Sequence, residues 1–346
     1  IKDSRTGDDF NIGMLELHDS GNYSLLEELL NQYETWIQEL EVNKEKINTH
    51  YQDVAGLNID NCKLALSRMR LGLETINKNE KAKKAFQLAN LAMHKQQIRP
   101  DETQLRKIIE FNPQSEKDKR VVFDKQVTEK EFTPKWRPFQ IAFFLLNIES
   151  IVNKDSEDRE NVELLWFPTG GGKTEAYLGL ISIIGFYRRL RYPEKELSPS
   201  VHVIMRYTLR LLTSDQADRL VRLVVGMNHV ANTMGAKLSV KEYQGQEFPP
   251  FRVGMWVGKK VSPNFLLSSS SNKYSENDNA EDALIKLKSG DEETGDGSVI
   301  QFETCPWCGN DHEFGIKNAE NWEVVKEEHD NQWGRLLNSR PTLHGR

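Results

Sequence analysis

Residues 163–174 read Glu-Leu-Leu-Trp-Phe-Pro-Thr-Gly-Gly-Gly-Lys-Thr, and no other stretch restricts the fold as tightly. The short apolar run Leu164–Phe167 predicts a buried strand, and Glu175–Tyr187 predicts a helix. Between them, Gly170, Gly171 and Gly172 allow a backbone turn that side chains would obstruct. A strand, a glycine loop, Lys-Thr and a helix, in that order, make a phosphate cradle. Backbone N–H groups of the loop and the positive end of the helix face the anion. Lys173 supplies a point charge for the β- and γ-phosphates, and the Thr174 hydroxyl supplies a ligand for Mg²⁺. ATP with Mg²⁺ is the cofactor this pattern predicts, with Lys173 and Thr174 as its catalytic pair. A glycine turn beside an incidental lysine is the bland alternative.

The loop departs from the general G-x-x-x-x-G-K-T form, because Phe167 stands where that form has its first glycine. Pro-Thr-Gly-x-Gly-Lys-Thr resembles the version found in superfamily 2 helicases and translocases. About 30 residues upstream lies Trp-Arg-Pro-Phe-Gln, where Pro138 suits the first turn of a helix running through Ile148. Arg137 and Gln140 there resemble the adenine-reading element of the same superfamily, so Arg137, Gln140, Thr169 and Gly170–Thr174 form the expected nucleotide site. Downstream, Val201–Met205 alternates as a strand should and runs into Arg206-Tyr207-Thr208-Leu209-Arg210. A helix is expected from Thr213 to about Val230. Hydroxyls, guanidinium forks and helix N-termini suit a nucleic-acid backbone. Thr208, Arg210, Thr213 and Gln216 match the place where superfamily 2 enzymes touch it, and Arg206 joins them on the expected DNA side. Arg188, Arg189, Arg191, Arg219 and Arg222 add local positive charge, or simply form solvated faces.

Together with RPFQIAFFLLN and NCKLALSRMRLGLE, the segments LLWFPTGGGKTEAYLGL and MRYTLRLLTSDQ resemble the DrmA family. These are helicase-like subunits of bacterial DISARM anti-phage systems. The resemblance covers about residues 55–265. It implies an ATP-dependent motor on DNA, single-stranded or with a single-stranded overhang, working with a DrmB-like protein subunit. It also implies a further DNA-facing segment at 251–264, with Lys259 and Lys260 as phosphate contacts.

The first part of the chain reads differently. Residues 1–22 are polar and expected to be loop. Ser24 and Glu27 have capping-box spacing, and Leu26, Leu29, Leu30, Tyr33, Ile37 and Leu40 follow at helical intervals. A second helix is expected at about 61–77, with Leu64, Met69, Leu73 and Ile76 inward. A third, at about 80–98, has a small-residue face of Ala82, Ala85, Phe86, Ala89 and Met93 and stops at Pro100. The expected fold is therefore α/β. A helical domain at 1–110 and a linker at 111–133 precede an incomplete RecA-like parallel-sheet lobe at 134–265. An acidic loop at 266–300 and a zinc-knuckle-like insertion at 301–346 follow.

In that insertion, Cys305-Pro306-Trp307-Cys308 is a turn that presents two thiolates to one Zn²⁺, and His312 is a third candidate ligand. A reduced free pair is the alternative. The Asp-Glu pair that a hydrolytic motor needs is not evident. Asp291-Glu292 lies among Gly, Ser and acidic residues without a preceding apolar run, and reads as surface loop. ATP binding is thus expected from these residues, and hydrolysis only with others. The polar start at Ile1 and the Pro-Thr-Leu-His-Gly-Arg end suggest a piece of a longer chain.

Composition narrows the classes. The 346 residues carry a formal charge of −6, so a nucleic-acid surface has to be a local patch. Three cysteines exclude a disulfide-stapled secreted scaffold and fit a reducing cytoplasm. No apolar run approaches the ~18 residues of a membrane span. Two other classes compete with the motor. One is an ATP-binding switch that docks a protein partner without translocating. The other is a small-molecule kinase, against which the Pro-Thr-Gly loop and Gln140 both argue.

Overall fold

The computed structural model describes residues 10–19, 23–98, 133–167, 170–192, 200–206, 210–235, 251–254, 285, 322–326 and 334–338. The chain divides into two compact units. One comprises Ile1–Pro100 with Asp124–Val253, the other Asp101–Phe123 with Gly254–Arg346.

The first unit is a layered helical body. Its elements are β1 (Ile12–Gly13), α1 (Met14–Asp19), α2 (Ser24–Lys44), α3 (Thr49–Lys78), α4 (Glu80–Ile98), β2 (Lys135–Trp136), α5 (Pro138–Val152), a 3₁₀ turn (Glu157–Glu160), α6 (Lys173–Arg191) and α7 (Arg210–Gly235). Ile59, Leu66, Met69, Leu73 and Ile76 repeat at intervals that keep one face of α3 inward, with half-buried Cys62 between the first two. That face lets α3 pack on α2, while α3 also crosses α5. The crossing is close at Gly72, where a Cβ would lie 1.9 Å from the Leu145 carbonyl oxygen. The alanine face of α4 is buried as expected, with Ala82, Ala85, Phe86, Ala89 and Met93 all in the core. Small side chains permit a short interaxial distance, and α4 packs against both α6 and α7. The helices on either side of residues 99–132 therefore share one continuous core.

Several details differ from the sequence reading. Residues 10–19 are ordered structure, because Phe10, Ile12, Met14 and Leu17 are buried and β1 pairs antiparallel with β2. Ser24 is not the cap of α2. Tyr23 takes that position, its carbonyl accepting the N–H groups of Leu26 (2.9 Å) and Glu27 (3.1 Å). Burial of the Tyr23 ring edge-on against Phe86 fixes where the helix begins. The second helix starts at Thr49, twelve residues before the expected point, with the Asn48 side chain accepting the His50 N–H at 2.9 Å. Leu64, expected inward, is 60% exposed, since it lies on the opposite side of α3 from the buried seam. Arg189, read as surface charge, is buried with its guanidinium 5.1 Å from the Phe251 ring centroid.

The two strands flanking the first nucleotide-loop helix do not take their expected form. Residues 161–167 and 200–206 form no strand among the described residues, and Leu164, Val201 and Ile204 are exposed rather than buried. Among the described residues of this unit, the only sheet is the two-stranded β1–β2 pair. The structure is thus mostly helical, and a parallel sheet is not among the described residues.

The described elements of the second unit include an antiparallel pair of strands, β3 (Trp322–Lys326) with β4 (Gly334–Asn338), in register from Trp322↔Asn338 to Lys326↔Gly334. The acidic loop lies almost wholly outside the described residues, as do Cys305, Cys308 and His312.

Candidate nucleotide site

The glycine loop is held by the start of α5. Pro138 occupies the first turn of that helix, where no N–H is needed. Gln140 then reaches back, its Oε1 accepting the Arg137 backbone N–H at 2.8 Å. This is the reciprocal half of a capping box, and it orients the rest of the side chain. The same amide donates from Nε2 to the Gly172 carbonyl at 2.8 Å, and Gln140 is only 3% exposed. Arg137 donates from Nη1 to the Gly171 carbonyl at 2.9 Å. Gln140 retains one donor and one acceptor position beyond these bonds.

Two glycines require their identity. Gly170 and Gly172 have φ of 79° and 91°, in the left-handed region that residues with a Cβ rarely adopt. At Gly172 a Cβ would also meet Gln140 Nε2 at 2.8 Å. Gly172 caps α6, its carbonyl accepting the Ala176 N–H at 3.4 Å, so the loop delivers the chain directly into the helix. Lys173, the first residue of α6, folds back over the turn, and its Nζ donates to the Phe167 carbonyl at 2.6 Å. Phe167 stacks on Phe139, with centroids 4.0 Å apart and planes at 24°. Loop entry, glycine turn and helix start are thereby tied to one helix end.

The structure thus gathers Arg137, Gln140, Gly170, Gly171, Gly172 and Lys173, with half-buried Thr174 following. Thr169 lies outside the described residues. The nucleic-acid candidates are not gathered in this way. Arg206 is exposed at the end of an extended segment, and Arg210 and Thr213 fall in the backbone of the first turns of α7. Thr208, Lys259 and Lys260 lie outside the described residues. Among the described residues, no three His, Cys, Asp or Glu side chains cluster as a metal site. Nor is any helix among them long and apolar enough to cross a membrane.

Two ionic arrangements beside the loop escaped the sequence reading. Arg68 of α3 donates from Nε to Asp158 at 2.8 Å, and from Nη2 to Glu163 and to the Leu146 carbonyl (3.3 Å). Burial alone would lower its pKa, but the bonds and charges of Glu163 and Asp158 outweigh that and raise it. One guanidinium thus anchors the segment that enters the loop. On the exit side, Glu175 of α6 pairs with Arg219 of α7, and both side chains are about three-quarters shielded. Burial, and then the neighbouring Arg222 charge, lower the Arg219 pKa. Partners 44 to 95 residues apart leave no periodic signal in a sequence.

Comparison with known proteins gives a partial match. The chain is 37% identical over 254 residues, 72% of its length, to the DISARM protein DrmA of Bacillus paralicheniformis (strain ATCC 9945a / NCIMB 11709 / CD-2). The chain spans about a fifth of the length of that protein (20%). No protein-family profile matches it. The resemblance read from the sequence is thereby established, as a partial one.

Proposed function

From this kinship with DrmA, we propose that the chain belongs to an anti-phage defence subunit and is the front part of a superfamily 2 DNA motor. The observation that carries the nucleotide half of this reading is the left-handed Gly170–Gly172 turn on the N-terminus of α6, spanned by Lys173. Backbone N–H groups at a helix start, a nearby ammonium and a hydroxyl one residue on suit a polyphosphate with Mg²⁺. When bound, ATP–Mg²⁺ supplies the phosphoanhydride chemistry. Gly170–Gly172 would hold the phosphates, with Lys173, now bonded to the Phe167 carbonyl, as their counter-charge, and Thr174 would be the metal's ligand. Arg137 and Gln140 hold the loop, and Gln140 is the residue assigned to adenine.

The parallel sheet of a RecA-like lobe is part of this proposal. So is DNA contact through Arg206, Thr208, Arg210, Thr213, Lys259 and Lys260, and so is a DrmB-like partner. A structural Zn²⁺ on Cys305, Cys308 and His312 completes it. The motif residues and the resemblance they build support the sheet, DNA and partner assignments, and the Cys-x-x-Cys spacing supports the zinc site.

ATP turnover with and without single-stranded DNA, beside Lys173→Ala, tests the motor. Where the Asp-Glu pair is also supplied, DNA-stimulated turnover that disappears in Lys173→Ala is the expected result; these residues alone are expected to bind ATP and to lose that binding in Lys173→Ala. ATP binding without any salt-dependent DNA affinity would instead favour a nucleotide switch that docks a protein partner.

A further inference from the structure

Glu175 is an unexpected neighbour for a phosphate site. It is the third residue of α6, and its Oε2 lies 3.6 Å from the place a Cβ on Gly172 would occupy. A carboxylate in the first turn of a helix is ordinarily favourable, because it offsets the positive end of the helix. In a loop that receives phosphates, the same carboxylate competes for that field and repels the anion. Its other oxygen, Oε1, accepts from Nη2 of Arg219, which reaches across from α7. The pair is largely shielded, so solvent screens it less than a surface pair.

We infer that Arg219 is a positioning residue of the phosphate loop, holding and neutralising Glu175 so that polyphosphate can enter. This rests on the proposed nucleotide reading and adds a determinant of affinity outside the loop. Arg219 acts through Glu175, and its removal leaves a bare negative charge at the mouth of the site. The resulting penalty grows with the number of phosphate charges. A purely structural role would weaken all adenine nucleotides alike.

Titration of the chain with ATP, ADP and AMP, at two salt concentrations, tests this. Arg219→Gln should weaken ATP binding about tenfold, ADP less, and AMP by no more than about threefold, with the discrimination shrinking at high salt. Arg219→Lys keeps the charge and should stay within about threefold of the parent for ATP. The double variant Glu175→Gln/Arg219→Gln removes the repulsion and should recover most of the loss. Equal weakening of all three nucleotides, or a double variant no better than Arg219→Gln, would overturn the inference. A parent chain that binds no ATP would overturn the nucleotide reading and this inference with it. Parent binding lost in Lys173→Ala, with Arg219→Gln unchanged, would remove the inference alone.

Discussion

Two apolar runs of similar character meet opposite fates. Ile141–Leu146 forms α5, and Ile141, Phe144 and Leu145 are fully buried. Leu164–Phe167 forms neither helix nor strand, and Leu164 and Trp166 are 80% and 85% exposed. The second run still alternates as a pleat does: Leu165 packs against the core, while Val162, Leu164 and Trp166 face away from it. The difference lies in the backbone. A helix closes its own N–H and C=O groups and then needs only one covered face. A strand borrows its hydrogen bonds from neighbours, so pattern alone gives it no partner. The helical layer is thus complete in itself, whereas the extended segments draw on what is placed beside them.

The largest expected effect tests how closely the helical layer is packed. Gly72→Val at the α3–α5 crossing should destabilise by about 3 kcal/mol, because the side chain meets backbone and cannot turn aside. An unchanged urea midpoint would show that this crossing yields easily. Next is Arg68→Met, which strands Asp158 and Glu163 beside the loop entry. After allowance for their partial exposure, about 2 kcal/mol is expected, measured by denaturant unfolding at neutral pH. A loss near zero would mean that the entry segment is as independent of the helices as Trp166 is.

A smaller effect concerns pH. Burial, and then the Lys95 charge, push the His94 pKa below 6.5, Asp19 opposing and His18 adding to the fall. The folded chain therefore binds a proton at this site less readily than the unfolded one. Its contribution to stability is complete above 6.5 and is lost as pH falls from there through the folded value. Unfolding curves between pH 8 and 5 should show this dependence, and His94→Gln should flatten it. A dependence unchanged in that variant would assign it to other groups. The smallest effect belongs to the exposed run: Trp166→Thr should change stability by no more than about 0.5 kcal/mol. A loss of 2 kcal/mol or more would mean that this face is covered in solution.

Much of the site and of the helical layer followed from local spacing. The alanine face of α4, the inner seam of α3, Pro138 at the first turn of α5 and the glycine–lysine turn into α6 each involve residues within one or two helical turns. Chain stereochemistry and a 3.6-residue repeat suffice to read them. Even there, neighbours decided particulars. Tyr23 displaced Ser24 as the cap of α2 because its ring was buried, and Leu64 went outward because only one side of α3 meets α2.

What only the tertiary structure decided are pairings across long stretches of chain. Trp136 Nε1 donates to Asn90 Oδ1 at 2.6 Å, Arg68 grips Asp158 and Glu163, Gln140 holds Gly172, and Glu175 meets Arg219. Polar side chains carry no periodic mark of their partners, because any nearby group of complementary charge or hydrogen-bonding type can satisfy them. The sequence by itself determined that a glycine turn and Lys-Thr would lead into a helix, expected from Glu175 and beginning two residues earlier, at Lys173. Packing determined which arginine would neutralise the acid beside it, because that choice depends on distances that no local repeat encodes.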